Sequence, residues 1–455
     1  MKKYSLIVLL VAVLSSCMNS TENTAVLSGK VANYKDRIAR LISEDNKLLG
    51  SSELTADGQF SIEIDLDTAQ VLQFRNSKEF TSIYLQPGDH LTMTLDADEF
   101  DESMEFSGDA SFCNTYLVRK YLVMEHLRSE SVLAFEPDDY LLEMKLNTEE
   151  LWQILDRVSA DKMAFVEVQK KQLNIELADL KLNYPYSFEM ISGDELTIED
   201  SFYNFLNDID LEDQVLMESA AGQEFLQSYV HYKATLKATT DDFKEISLQK
   251  MNVLQEEFKE GKLRSELAFI ALKRHFSDYG THGAEQLKDL YDTLVNDPDL
   301  NSEMNAYYAK MQELEPGKPA KNFRYPDIQG KEYSLSDFKG KYVYIDVWAT
   351  WCAPCKIETP HLKDLERSYR GKDIVFMSVS VDEKKDVDVW RETVNTQELK
   401  GIQLYAGGWS EITDVYEVNG IPRFILIDPE GNIFNANAPR PSSSKIDELL
   451  SSLNL

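Results

Sequence analysis

Cys352 and Cys355 are separated by Ala353 and Pro354, and they follow an apolar run that ends at Trp348. If a helix begins at the first cysteine, the two thiols stand one turn apart, close enough to close a small disulfide ring. A cysteine at a helix N-terminus lies where unpaired N–H groups and the helix dipole stabilise a thiolate. Only the thiolate attacks a disulfide. The spacing therefore assigns attack to Cys352 and expects Cys355, one turn in and more buried, to resolve the mixed disulfide. Two other chemistries share this spacing. A structural zinc needs about four ligands, but residues 316–455 hold no third cysteine and a single histidine, His361. An inert structural disulfide is the other alternative; against it stands the order strand, C-x-x-C, helix inside an α/β pattern, which is the redox context.

That pattern begins after Pro316 and Pro319, which mark a boundary. Strand-like runs at 342–348, 374–381 and 424–427 alternate with helical runs at 360–369 and 443–453. Strands alternating with helices predict an α/β layer fold. The cysteines then sit at the exit of a central strand and the entry of a long helix, with Pro360 as a structural kink inside that helix.

With these residues in view, the C-terminal third resembles the membrane-attached, envelope-facing thiol–disulfide oxidoreductases of the TlpA/ResA type, which have the thioredoxin fold. The resemblance rests on Trp351-Cys352-Ala353-Pro354-Cys355 with Asp346 six residues upstream, on Gly317 to Phe323, on Leu335 to Lys341, and on Gly420 to Asp428. It implies a cis peptide at Ile421-Pro422 facing the cysteines, with the Ile421 backbone free to pair with an extended substrate. It implies that Asp346 is a buried acid that moves a proton to or from Cys355. A carboxylate in an apolar strand should have a raised pKa, which suits that task. Glu358 matches an active-site glutamate of the group; an exposed first-turn glutamate favoured by the helix dipole is the alternative. Trp351 is expected to shield the sulfur and to contribute to a docking face, and Trp348 to lie in the core. Arg423 stands where thioredoxins commonly carry threonine. Either its cation acts on the thiolate or on acidic substrates, or it faces solvent.

The N-terminus has a different job. Lys2 and Lys3 precede about ten apolar residues, and Leu14-Ser15-Ser16-Cys17 closes the run. This layout resembles a lipoprotein signal, with Cys17 lipidated and first in the mature chain; an ordinary cleaved signal is the alternative. The run is too short for a permanent membrane span.

Between these ends the hydrophobic period changes once. Phe60, Ile62, Ile64 and Leu66 alternate with polar residues after the Asp57-Gly58 turn, and Leu91, Met93 and Leu95 do so after Pro87-Gly88-Asp89. A small antiparallel β domain is expected, resembling a module found between lipid anchor and thioredoxin-like domain in Gram-negative envelope lipoproteins. Further on, Leu151, Ile154, Leu155 and Val158, and later Leu287, Leu290, Tyr291 and Leu294, follow helical spacing. The expected organisation is a signal peptide at 1–16, a β domain at 17–110, a helical domain at 111–312 and a thioredoxin-like domain at 313–455. Cys113 stands alone, either as a small buried hydrophobe or as a partner for an intermolecular disulfide.

Composition excludes several classes. The net charge of −32 argues against wrapping nucleic acid, and four cysteines in 455 residues argue against a disulfide-stapled scaffold. Residues 316–455 carry 18 basic and 21 acidic side chains, so the acidity belongs to the preceding portion, as a solvated acidic surface or as a repulsive one. His90, His126, His231, His275 and His282 show no metal spacing, and no phosphate-binding glycine pattern is present. No metal and no organic cofactor is therefore expected. The sequence predicts an envelope thiol–disulfide oxidoreductase, lipid-anchored and facing the periplasm, that reduces disulfides in exported proteins and is recharged by a membrane electron donor. The alternatives are a client-binding lipoprotein whose N-terminal portion does the work and, less in keeping with the residues around Cys352, a thiol peroxidase.

Overall fold

The computed structural model describes residues 23–240, 242–453 and 455. The leader and Cys17 lie outside the described residues. The chain divides into two compact units, one ending at Ser228 and the other running from Tyr229 to Leu455. The division falls inside the stretch read from sequence as one helical region.

The first unit begins with eight strands: β1 (Thr24–Ala32), β2 (Ile38–Ile42), β3 (Leu48–Glu53), β4 (Gln59–Asp65), β5 (Gln70–Asn76), β6 (Glu79–Leu85), β7 (His90–Asp96) and β8 (Glu105–Gly108). They form two four-stranded sheets, ordered β4-β1-β7-β8 and β3-β2-β5-β6. Alternation does what it should: Phe60, Ile62 and Ile64 of β4 are buried and their neighbours exposed. The buried faces of the two sheets share one core, in which Phe60 and Phe74 pack with ring centroids 5.4 Å apart. Every ladder is antiparallel except β1–β7, which is parallel. An alternating pattern specifies the buried face but not strand direction, so this pairing was not readable in advance. At that pairing a Cβ on Gly29 would stand 1.8 Å from the Met93 carbonyl oxygen, so the two strands can approach only with glycine there.

Helices Ser111–Leu127, Pro137–Leu155 and Met163–Ser192 follow in the same unit. Their core joins Tyr84 of β6 to Tyr116, Tyr140, Phe165 and Tyr184. Asn114, fully buried, closes the open edge of β6. Its Oδ1 accepts from the Tyr84 N–H at 2.8 Å, and its Nδ2 donates to the Tyr84 carbonyl at 2.9 Å and to the Ala110 carbonyl at 2.9 Å. One amide thus satisfies an edge strand that would otherwise present unpaired backbone. Asn114→Ala should cost about 2–3 kcal/mol in urea unfolding; a cost below ~0.5 kcal/mol would mean the edge finds other partners. The Pro87-Gly88-Asp89 turn is anchored by Lys162, whose Nζ donates to Asp89 Oδ1 at 2.9 Å with both side chains buried. Cys113 lies in the first turn of the Ser111–Leu127 helix, and burial pushes its thiol up to about 12. It is the small buried hydrophobe of the two alternatives, with no exposed sulfur to offer a second chain.

The second unit carries helices Phe243–Glu257, Lys262–Tyr279, Glu285–Leu294 and Pro298–Gln312. After them come the hairpin β9 (Arg324–Pro326) and β10 (Glu332–Ser334), then β11 (Tyr342–Trp348), β12 (Ile374–Ser380), β13 (Ile402–Tyr405), β14 (Arg423–Ile427) and β15 (Ile433–Asn435). The last five form one sheet ordered β13-β12-β11-β14-β15. β11 runs parallel to β12, β12 to β13, and β14 is antiparallel to both β11 and β15. β11 is central and buried along nearly its whole length, which explains why it reads as a continuous apolar run. Helices Ala353–Ser368 and Ser444–Ser451 bury Leu362, Leu365, Ile446 and Leu450 against Tyr344, Phe376 and Phe424. This mixed sheet with helices between its parallel strands is the thioredoxin-like arrangement.

Candidate functional site

β11 ends at Trp348, and the Ala353–Ser368 helix starts with Cys352 as its N-cap. The helix therefore begins seven residues before the run at Pro360 that showed helical spacing in the sequence. Pro354 favours this start, since a proline in the first turn sacrifices an N–H that would be unpaired anyway. Cys352 and Cys355 are joined as a disulfide with Cα atoms 5.3 Å apart. The Cys355 N–H donates to Cys352 Sγ at 3.2 Å. That is the helix-terminus contact that favours negative charge on the first sulfur. The expected difference in burial is absent: both cysteines are 4% exposed. Exposure therefore does not separate the two cysteines; position at the helix terminus does, with Cys352 at the N-cap and Cys355 inside the first turn.

The Ile421-Pro422 peptide is cis, and the Ile421 carbonyl oxygen lies 3.7 Å from Cys352 Sγ. Trp351 is exposed beside the pair, as is Ile357 on the following helix, whereas Trp348 is buried. The turn before the cysteines is held by a residue the sequence did not single out. Asp382, fully buried, accepts from the Thr350 N–H at 3.1 Å, the Thr350 Oγ1 at 2.7 Å and the Ser380 Oγ at 2.6 Å. Thr350 and Asp382 are 32 residues apart, and no local spacing signals such a bond.

Asp346 points from β11 into the interior and is 9% exposed. Burial raises its carboxyl to about 7; a hydrogen bond from Ser378 opposes the rise, and the carboxylates of Glu358 and Glu366 add to it. Ser378 stands directly across the parallel ladder from Asp346. Glu358 is not the exposed first-turn glutamate of the alternative reading. It is buried, with Oε2 accepting from the Ser442 N–H at 3.0 Å and Oε1 from the Ser442 Oγ at 2.8 Å. Its carboxylate pins the segment before the last helix and contributes negative charge near Asp346. Glu358→Gln should lower stability by about 1 kcal/mol in denaturant melts and change disulfide reduction by no more than about threefold. A removed proton shuttle would instead cost ~10²-fold.

Arg423 departs from the solvent-facing reading made of it. It does not face solvent: its Nη1 donates to the Ser277 carbonyl at 3.2 Å, and Nη2 lies 3.4 Å from Ser277 Oγ. Asn437 Nδ2 donates to the neighbouring Asp278 carbonyl at 2.8 Å. The guanidinium thus ties β14 to the end of the Lys262–Tyr279 helix, satisfying carbonyls that the helix leaves unpaired. The residues are 146 positions apart, beyond any sequence pattern. Among the described residues no helix is long and apolar enough to cross a membrane.

Comparison with known proteins falls on this same region. The AhpC/TSA family model matches residues 316–436. The thiol-disulfide oxidoreductase ResA of Bacillus cereus is 34% identical over 145 residues, spanning 32% of this chain and 82% of the relative. ResA of Bacillus subtilis is 29% identical over 148 residues, spanning 32% and 80%. Among solved structures, the thioredoxin domain of a thiol-disulfide oxidoreductase from Bacteroides vulgatus is 28% identical, covering 30% of this chain and 96% of that one, with a TM-score of 0.27. A thiol-disulfide oxidoreductase from Bacteroides fragilis is 27% identical, covering 29% and 99%, with a TM-score of 0.27.

Proposed function

Given that the chain belongs, through its C-terminal third, to the ResA family of thiol-disulfide oxidoreductases, we propose that it reduces disulfides of exported proteins through Cys352 and Cys355. The observation that carries this reading is the Cys352 sulfur at a helix N-terminus, beside the carbonyl of Ile421. In the reduced protein, the Cys352 thiolate attacks one sulfur of a client disulfide whose flanking strand pairs with the Ile421 backbone and rests against Pro422 and Trp351. The bond between the client sulfurs breaks, the departing client sulfur takes a proton, and a mixed disulfide forms at Cys352. Cys355 gives its proton to Asp346, attacks Cys352 Sγ and releases the second client thiol. Two electrons have passed to the client, and Cys352–Cys355 is oxidised. The thiols carry the electrons, so the cycle needs no organic cofactor, but it does need a donor that restores them.

The leader and Cys17 support a lipid anchor on the periplasmic side of an envelope membrane, with that donor in a membrane. The reduction potential of the Cys352–Cys355 pair, measured in the full chain against thiol buffers, tests the direction. A value well below the roughly −180 to −210 mV of an oxidising secretory compartment supports a reductase. A value near about −120 mV, that of a strong dithiol oxidant, reverses the assignment.

A further inference from the structure

When Cys355 resolves the mixed disulfide, the client's second sulfur leaves as a thiolate that takes a proton from solvent, while the Cys355 proton sits on Asp346; that proton either returns to Cys355 on re-reduction or passes out to solvent. Asp346 borders a small cavity whose other walls include Trp348, Ser378, Glu366 and Gln403, with Lys363 and Lys400 toward the surface. The cavity leaves about 20 Å³ for the centre of a water-sized sphere, which is room for one water molecule. Two of its walls carry buried polar atoms, Trp348 Nε1 and Gln403 Oε1, that have no hydrogen-bond partner among the described residues. Trp348 is 4% exposed and Gln403 8%. One is a donor and the other an acceptor, so a single water can satisfy both and still reach a carboxyl group. Buried waters characteristically take up polar atoms left unsatisfied in this way.

Glu366 completes the arrangement. It lies on the Ala353–Ser368 helix, half-buried between Asp346 and the surface. Its position depends on a glycine: a Cβ on Gly401, whose φ is +66°, would come within 2.7 Å of Glu366 Oε1. Burial raises the Glu366 carboxyl to about 7, opposed by Lys363 and Lys400. The Lys363 ammonium is itself engaged by the Gln397 carbonyl. The groups around Asp346 are Ser378, Glu358, Glu366 and, beside it on β11, Tyr344. Two carboxyl groups able to change protonation near neutral pH thus line one cavity, Asp346 buried and Glu366 half-buried.

We propose that Glu366, through one ordered water held by Trp348 Nε1 and Gln403 Oε1, is the positioning residue by which Asp346 exchanges its proton with solvent. The inference rests on the reductase reading above. The step balances simply. Asp346, protonated by Cys355, passes a proton to the water; the water passes one to the Glu366 carboxylate; Glu366 releases it to bulk solvent. No electrons move.

The test is the rate at which the reduced full chain turns over a fluorescent glutathione disulfide between pH 5.5 and 9, for wild type, Glu366→Gln, Trp348→Phe and Asp346→Asn. Glu366→Gln should be about 5- to 20-fold slower, and its acid limb should move to lower pH because Asp346 has lost a like-charged neighbour. Trp348→Phe, which removes the N–H and keeps an aromatic ring, should be slowed to a similar degree with the limb in place. If Asp346→Asn is slow while Glu366→Gln keeps the wild-type rate and profile, the path is overturned and the reductase reading stands. Wild-type behaviour of Asp346→Asn overturns the role of Asp346 itself.

Discussion

Replacing Cys352 with serine should abolish reduction of insulin disulfides, with a loss of about 10³-fold or more, equivalent to at least ~4 kcal/mol of transition-state stabilisation. The physical ground is the sulfur's position. Cys352 caps the Ala353–Ser368 helix, and the Cys355 N–H is directed at its sulfur from 3.2 Å. A thiolate there gains from the helix terminus, whereas a serine hydroxyl stays protonated at neutral pH and cannot form a disulfide. Cys355→Ser should behave differently. It keeps the attacking sulfur and loses the resolving one, so a mixed disulfide with client should accumulate, and mass spectrometry should find the client on Cys352. Both cysteines are equally buried, so this pair of variants, rather than exposure, decides the order of attack. Retained activity in Cys352→Ser, or client trapped on Cys355 in the wild-type order of addition, would defeat the assignment.

Asp346→Asn should make the protein more stable and less active at the same time. The Asp346 carboxyl has its pKa raised from 3.8 to about 7 in the folded chain. Below pH 4 it is protonated in both states and makes no difference between them. As pH rises from 4 to 7, the unfolded chain releases this proton while the folded chain holds it, so the residue costs increasing stability. Above pH 7 the folded carboxyl ionises too, and the cost is fully developed. Asparagine removes that cost and keeps a partner for Ser378. The variant should therefore exceed wild type by on the order of 2–4 kcal/mol in urea unfolding at pH 8, with the difference vanishing near pH 4. At pH 7 its turnover should fall by about 10²-fold, the share that a positioned acid–base group contributes. A stability gain independent of pH would show that the raised pKa is not its source. Unchanged turnover would remove Asp346 from the chemistry.

Much of the site could be read directly from residues 344–360. A buried strand, a C-x-x-C and a helix start are contiguous, and each signal acts within one or two turns of chain. The same locality made the alternating faces of β4 and β7 readable, and the register of the apolar residues on the helices. Asp346 was expected as a buried acid from the family resemblance, and the apolar strand on both sides of it gave the reason to expect a raised pKa. Glu358 was recognised as relevant, but its burial and its bonds to Ser442, 84 residues away, were not.

The sequence by itself determined the cysteine pair's spacing, the strand that leads into it, the helix it caps and the change of period along the chain, because these follow from periodicity and from groups a few bonds apart. Only the tertiary structure decided which distant residues serve them. Asp382 braces Thr350, Ser378 and Glu366 surround Asp346, Asn114 closes the edge of β6, and Arg423 turns away from solvent to hold Ser277. Each of these contacts joins polar groups on segments that chain reversal brings together, and a buried polar group takes whichever partner packing supplies. Sequence spacing carries no record of that choice.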